Sequence, residues 1–161
     1  DPFYLTWKAK QFGISTRFIE LAGEVNVSMP NYVMEKISFA LEKAGRTLTD
    51  SRVLLLGLAY KKNMDDDRES VTFEIMEMLE QQGAEVNYND PYISAIKPRR
   101  EHKQLIGKQS VPLDKLNTYD LTVILTDHSA YDYGDIIKHS NLVVDTRNAC
   151  GNIKSDKIIK A

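Results

Sequence analysis

Lys61, Lys62 and Arg68 follow closely on the apolar run 53–58, with Tyr60 beside them. Cations gathered behind a buried strand suit an anionic ligand, because open α/β sheets bind ligands outside the carboxyl ends of their strands. The helical pattern opening at Glu69-Ser70 would add backbone donors and a favourable dipole there. The plainer alternative is a solvated loop whose charges pair among themselves, since Asp65, Asp66 and Asp67 share the stretch. A second group, Asp145-Thr146-Arg147, closes another apolar run. In a parallel sheet it would share a rim with Tyr60, Lys61 and Arg68, and several cations on one rim fit a diphosphate.

Other chemistries find less support. Residues 57–61 lack the paired glycines and the Lys-Ser/Thr of a nucleoside-triphosphate loop, and no G-x-G-x-x-G dinucleotide fingerprint is present. The three neighbouring aspartates point in different directions and nothing completes an octahedral set, so no metal is expected. His102, His128 and His139 sit in separate segments and read as surface or loop histidines. Asp127-His128-Ser129 resembles a triad only on paper, because triad members meet in space and not as sequence neighbours. Cys150 has no histidine placed to activate it and reads as a bystander.

The elements that must position the cations follow from periodicity. Residues 2–12 carry a short helix with Phe3, Tyr4, Leu5 and Trp7, ended by Gly13. Phe18, Leu21, Val25, Met29, Val33, Ile37 and Leu41 recur at mostly three- and four-residue steps, predicting one long helix over 17–45. Pro30 should kink it, or restart it with Ser28 as the cap. From Ser51 strands and helices alternate. Strands are expected at 53–58, 84–89, 121–125 and finally 142–145, and helices at 71–82 and 133–139. Residues 97–108 are expected to be an exposed basic connection, and 113–116 a short helical turn. This alternation predicts a doubly wound α/β fold with a mostly parallel sheet.

At 161 residues, with 42% hydrophobic residues and a net charge of −2, the chain suits one domain with an appendage and disfavours bulk nucleic-acid binding. The single cysteine excludes an internal disulfide and fits a reducing compartment, and no run is long enough to span a membrane. A cytoplasmic location is expected. The opening, Asp1-Pro-Phe-Tyr-Leu-Thr-Trp7, lacks an initiator methionine and crowds aromatics where termini are usually polar. It looks like a piece of something longer.

Two motifs resemble a known family. Gly57-Leu-Ala-Tyr-Lys61 with Asp65-Asp-Asp-Arg-Glu-Ser70 is similar to the carboxyl-terminal domain of the UDP-glucose/GDP-mannose dehydrogenases. Asp1-Pro-Phe-Tyr-Leu5 and the helix opening Arg17-Phe-Ile-Glu-Leu-Ala-Gly-Glu-Val-Asn26 look like that family's central segment, worded most like its UDP-N-acetylglucosamine 6-dehydrogenase branch.

The resemblance implies NAD-dependent oxidation of a sugar C6 alcohol to the carboxylate, through a thiohemiacetal and thioester on a cysteine just upstream of Asp1. It implies that Asp1 helps activate the hydrolytic water, that Tyr60, Lys61 and Arg147 contact the nucleotide sugar, and that Arg68 reaches NAD. The main NAD-binding domain would also lie upstream. Where the family usually has threonine, this chain has Asp67.

The implied organisation is a central helical segment over 1–48, through which the family forms homodimers, and a Rossmann-like α/β UDP-sugar-binding domain over 49–161. Three readings stay open at this point. They are part of a UDP-N-acetylhexosamine dehydrogenase that is inactive alone, the same for UDP-glucose or GDP-mannose, and a free-standing dimeric nucleotide-binding or regulatory module.

Overall fold

The computed structural model describes residues 2–161. The chain divides into two compact units, one ending at Tyr32 and one running from Val33 to Ala161. Helix α1 (Pro2–Lys10) and helix α2 (Arg17–Lys43) come first, and α2 passes from the first unit into the second. It runs through Pro30 without a break. Ser28 does not cap a restarted helix, because its hydroxyl donates back to the Val25 carbonyl (2.8 Å). Gly45, at φ +71°, ends the helix: its N–H bonds Glu42 O and that of Arg46 bonds Leu41 O, satisfying the last carbonyls.

In the first unit, α1 and the start of α2 are tied by the Thr16 hydroxyl on Thr6 (2.9 Å) and a Lys10–Glu20 ion pair (3.2 Å). Phe3 lies so close over Gly23 that a Cβ there would meet its ring at 2.6 Å. Phe18, Leu21, Val25 and Trp7 are nonetheless exposed.

In the second unit, strands β1 (Arg52–Leu56), β2 (Glu85–Asn89), β3 (Leu121–Ile124), β4 (Val143–Asp145) and β5 (Ile158–Lys160) form a sheet of order β2-β1-β3-β4-β5, parallel throughout. Because side chains alternate along a strand, the two faces have separate cores. Val53 and Leu55 join Ile37 and Leu41 of α2 and Phe73, Met76 and Leu79 of helix α3 (Thr72–Gln81). Leu54 and Leu56 face the other way, onto Leu116, Tyr119 and Ile136-Ile137 of helix α4 (Tyr133–His139). The interior strand β1 is apolar on both sides because helices cover both. The predicted doubly wound, parallel α/β fold is the one observed.

Three local expectations need correction. The strand at Val143 is not the last: β5 adds an edge, and its three residues behind a polar turn carry too little apolar signal to be read. The segment 97–108 is not simply an exposed connection. Leu105 is fully buried, Ile96 and Lys108 bond backbone to backbone, and Arg99 stacks 3.5 Å above the Phe73 ring. His128 is not a surface or loop-tip side chain but fully buried.

Candidate functional site

The strand order reverses direction between β1 and β3, so the loops beyond their carboxyl ends border the switch point where doubly wound sheets take ligands. The two loops leave the sheet very close together. Gly57 has φ +93°, and a Cβ there would lie 2.4 Å from Thr126 Cβ and 2.7 Å from its backbone nitrogen. The break in the apolar run is therefore both a conformational and a contact requirement.

Beyond Gly57 the loop carries the predicted anion-binding residues. Tyr60 N–H donates to Asp66 O (2.8 Å), closing the loop on itself. Tyr60 is half exposed, and Lys61 folds its ammonium over the ring, 5.4 Å from the centroid. Lys62 reaches Asp127 Oδ2 (3.4 Å), behind β3, and Arg147, behind β4, reaches Asp127 Oδ1 (3.6 Å). One carboxylate thus sits between cations from two loops. Of the residues the sequence set on one rim, this brings Arg147 to the β1 loop through Lys62 and Asp127.

Arg68 stands apart from that pair. Its guanidinium grips Asp66 with two bonds (2.9 and 2.7 Å) while its side chain stays 84% exposed. The arginine beside it holds the Asp66 carboxyl well below the usual carboxylate range, at about 2. Asp67 turns away from Arg68 and pairs with Arg99 (3.2 Å). The residue that departs from the family pattern therefore latches segment 97–108 and does not compete for Arg68. A cleft of about 110 Å³ lined in part by Asp65, Asp67, Tyr92 and Lys97 lies on this carboxylate-rich side of the loop, which suits an anion less well than the Lys62–Arg147 side. Asp1 lies outside the described residues.

Beneath the rim is a buried node that the sequence reading missed. Asp90, directly after β2, is 3% exposed. Its Oδ2 accepts from Leu58 N–H (2.7 Å), Ala59 N–H (2.9 Å) and His128 Nε2 (3.0 Å), and its Oδ1 from Tyr92 N–H (2.8 Å) and Ile93 N–H (3.1 Å). Burial pushes this carboxyl upward, but the bonds from His128 and the amides of Tyr92, Ala59 and Leu58 outweigh it and keep the pKa below the ordinary value.

His128 Nδ1 accepts from Asn63 N–H (2.9 Å), which assigns the proton to Nε2 and makes that nitrogen the donor to Asp90. With both nitrogens engaged, His128 is no general base. The Asp127-His128-Ser129 triad fails on geometry as well as on spacing. The available signal was Asp90-Pro91 at a strand end, read only as a turn.

Asp145 does for the β4 loop what Asp90 does for the β1 loop. It is 1% exposed and accepts from the amides of Arg147, Ala149 and Cys150 (3.0, 3.0 and 2.9 Å), curling the chain so that Arg147 projects from the rim. Cys150 is buried there, and burial, together with nearby Asp145, pushes its thiol up to about 12. Almost none of it is thiolate at neutral pH, so it is not a nucleophile.

Known proteins resemble this chain in sequence and fold. Residues 54–152 match the UDP binding domain of the UDP-glucose/GDP-mannose dehydrogenase family. Protein CapL of Staphylococcus aureus is 29% identical over 163 residues, which is 98% of this chain and 37% of that protein. UDP-N-acetyl-D-glucosamine 6-dehydrogenase of Salmonella typhi is 30% identical over 131 residues, 81% of this chain and 30% of the relative. Among solved structures, the UDP-D-ManNAc dehydrogenase of Pyrococcus horikoshii superposes with a TM-score of 0.75 at 25% identity, covering 94% of this chain and 35% of that one. A ternary complex of GDP-mannose dehydrogenase from Pseudomonas aeruginosa, at 21% identity and a TM-score of 0.70, shares the fold. The chain spans about a third of the length of these relatives. With a family match over the α/β unit and a rim of cations at its switch point, the chain belongs to the UDP-glucose/GDP-mannose dehydrogenase family and carries that family's UDP-binding domain.

Proposed function

We propose that this chain is the nucleotide-sugar-binding portion of an NAD-dependent UDP-N-acetylhexosamine 6-dehydrogenase. The observation that supports it most is the pair of cations, Lys62 and Arg147, brought from two loops to one carboxylate at the sheet's switch point. A diphosphate arriving there can take over both charges from Asp127. Tyr60 and Lys61 then line the sugar and nucleotide side, and Arg147 holds the nucleotide part.

The relatives' names favour an acetylated amino sugar: they include dehydrogenases of UDP-N-acetyl-D-glucosamine and UDP-N-acetyl-D-mannosamine and of an NDP-N-acetyl-D-galactosaminuronic acid. We assign Asp1 the family's role at the hydrolytic water.

Removing a hydride from C6 is chemistry that NAD supplies when bound. On this chain we assign Arg68 to that cofactor. The side chain projects into solvent, and its Nη1 is outside the bonds to Asp66, leaving a donor for a cofactor phosphate. The β1 loop has no glycine-rich fingerprint, and Cys150 is buried and protonated, so the chain by itself should bind sugar nucleotide without reducing NAD. We also assign the exposed apolar side chains of the first unit to a homodimer contact; a dilution series by sedimentation should show dissociation from dimer to monomer.

Calorimetric titration with UDP-N-acetylglucosamine, UDP-glucose, GDP-mannose and NAD tests the site. The expected result is preference for UDP sugars, weakened about tenfold by Lys61→Ala or Arg147→Ala, the scale of one charge-assisted contact. Preference for GDP-mannose, or steady NAD reduction by the chain alone, would overturn it.

A further inference from the structure

We infer that Asn63 is a positioning residue: it clamps the tip of the β1 loop onto the loops after β2 and β3, holding Tyr60, Lys61 and Lys62 ready for the ligand. For the ligand this rests on the nucleotide-sugar reading; the clamp does not.

Asn63 is exposed and has φ +60°, a left-handed conformation that asparagine tolerates better than most residues. Nothing about packing demands its side chain, yet its amide oxygen, its amide nitrogen and its backbone N–H are all engaged. Its Oδ1 accepts from Ser129 N–H (2.8 Å) and from the Tyr92 hydroxyl (3.4 Å), and its Nδ2 donates to Ser129 Oγ (3.0 Å). Its own N–H donates to His128, whose other nitrogen is fixed on Asp90. Asp90 in turn holds the amides of Leu58 and Ala59, where the same loop begins.

The loop is therefore pinned at both ends by one relay, Asp90–His128–Asn63, with Tyr60, Lys61 and Lys62 between the pins. Lys62 and Asp127 lie one residue from Asn63 and His128, so the clamp also sets the distance of the cation from its counter-ion. A flexible cationic loop would spend most of its time in arrangements that cannot bind. When the competent fraction drops, apparent affinity drops by the same factor.

Asn63→Gly separates positioning from stability, since glycine accepts the positive φ and keeps the N–H to His128 while losing the side-chain clamp. Two readouts are made on the full chain. In hydrogen exchange, the peptide covering residues 58–67 should exchange about tenfold faster in the variant. Asn63→Asp, which can still accept from Ser129 N–H, should restore slow exchange. In calorimetry with UDP-N-acetylglucosamine, Asn63→Gly should weaken binding about tenfold while the melting midpoint moves by no more than about 2 °C.

Unchanged exchange in 58–67, or a melting loss much larger than this, overturns the clamp whatever the ligand does. Equal sugar-nucleotide affinity in wild type and Asn63→Gly overturns the positioning role. If wild type binds no sugar nucleotide, the function fails while the exchange result still decides the clamp.

Discussion

The two halves of helix α2 carry the same pattern and meet opposite fates. Phe18, Leu21 and Val25 recur at three- and four-residue steps and are 89%, 55% and 51% exposed. Val33, Ile37 and Leu41 continue the series and are 6%, 0% and 0% exposed, packed with β1 and α3. Periodicity states which face of a helix is apolar; it does not state what covers that face. The second half has a sheet to bury it. The first half leaves its apolar stripe exposed, and that stripe is the surface assigned above to the proposed homodimer contact.

The comparison can be broken by substitutions whose costs should follow burial and hydrogen bonding and not residue type. Asp90→Asn should cost most, about 4 kcal/mol at neutral pH, because it turns amide donors towards the backbone N–H groups and His128 that the carboxylate had satisfied. Chemical denaturation measures it. The pH dependence has a definite sign. The folded pKa of Asp90 is lowered from 3.8, so its contribution is complete above that value and is lost as pH falls below it. The stability gap between wild type and Asp90→Asn should therefore narrow in acid.

Ile37→Ala, in the buried half of α2, should cost about 3 kcal/mol through lost burial and an unfilled cavity. Gly57→Ala should cost about 2 kcal/mol, since φ is positive and Thr126 stands where the Cβ must go. Phe18→Ser, in the exposed half, should change denaturation by within about 0.5 kcal/mol in the monomer, while shifting the sedimentation midpoint for self-association to higher concentration. If Phe18→Ser destabilised the monomer as much as Ile37→Ala, the contrast between the two halves would be false.

The rim and the node beneath it teach a related lesson about carboxylates. Asp127, partly exposed, holds two cations loosely at 3.4 and 3.6 Å and is free to release them. Asp90 is closed in by amides and histidine and has no capacity to exchange partners. The first suits a site that trades one anion for another, and the second suits a fixed frame. The cations at the candidate site, Lys61, Lys62 and Arg147, were legible because charge behind a buried strand is a local signal, and Tyr60 was legible as part of the motif beside them. Asp90 and His128 were not, because their partnership joins the loops after β2 and β3, and the one local signal, Asp90-Pro91 at a strand end, reads equally well as a turn. Arg99 was obscured in the same way: in sequence it is one basic residue among several, and only folding sets it on Phe73 and against Asp67.

What the sequence by itself determined is whatever depends on neighbours along the chain. That includes the strand and helix alternation, the apolar run of β1, the ends of α2 and α3 at glycines, α4 at Tyr133–His139, and the family motifs of the β1 loop. What only the tertiary structure decided is whatever depends on distance in space. It chose which half of α2 is buried and recruited Ile158–Lys160 as an edge strand. It gave Asp67 to Arg99 instead of Arg68, and made the tautomer of His128 follow from Asn63. The physical reason is common to all four: burial and hydrogen bonding are properties of pairs, and these pairs form only once the sheet has brought distant loops to one edge.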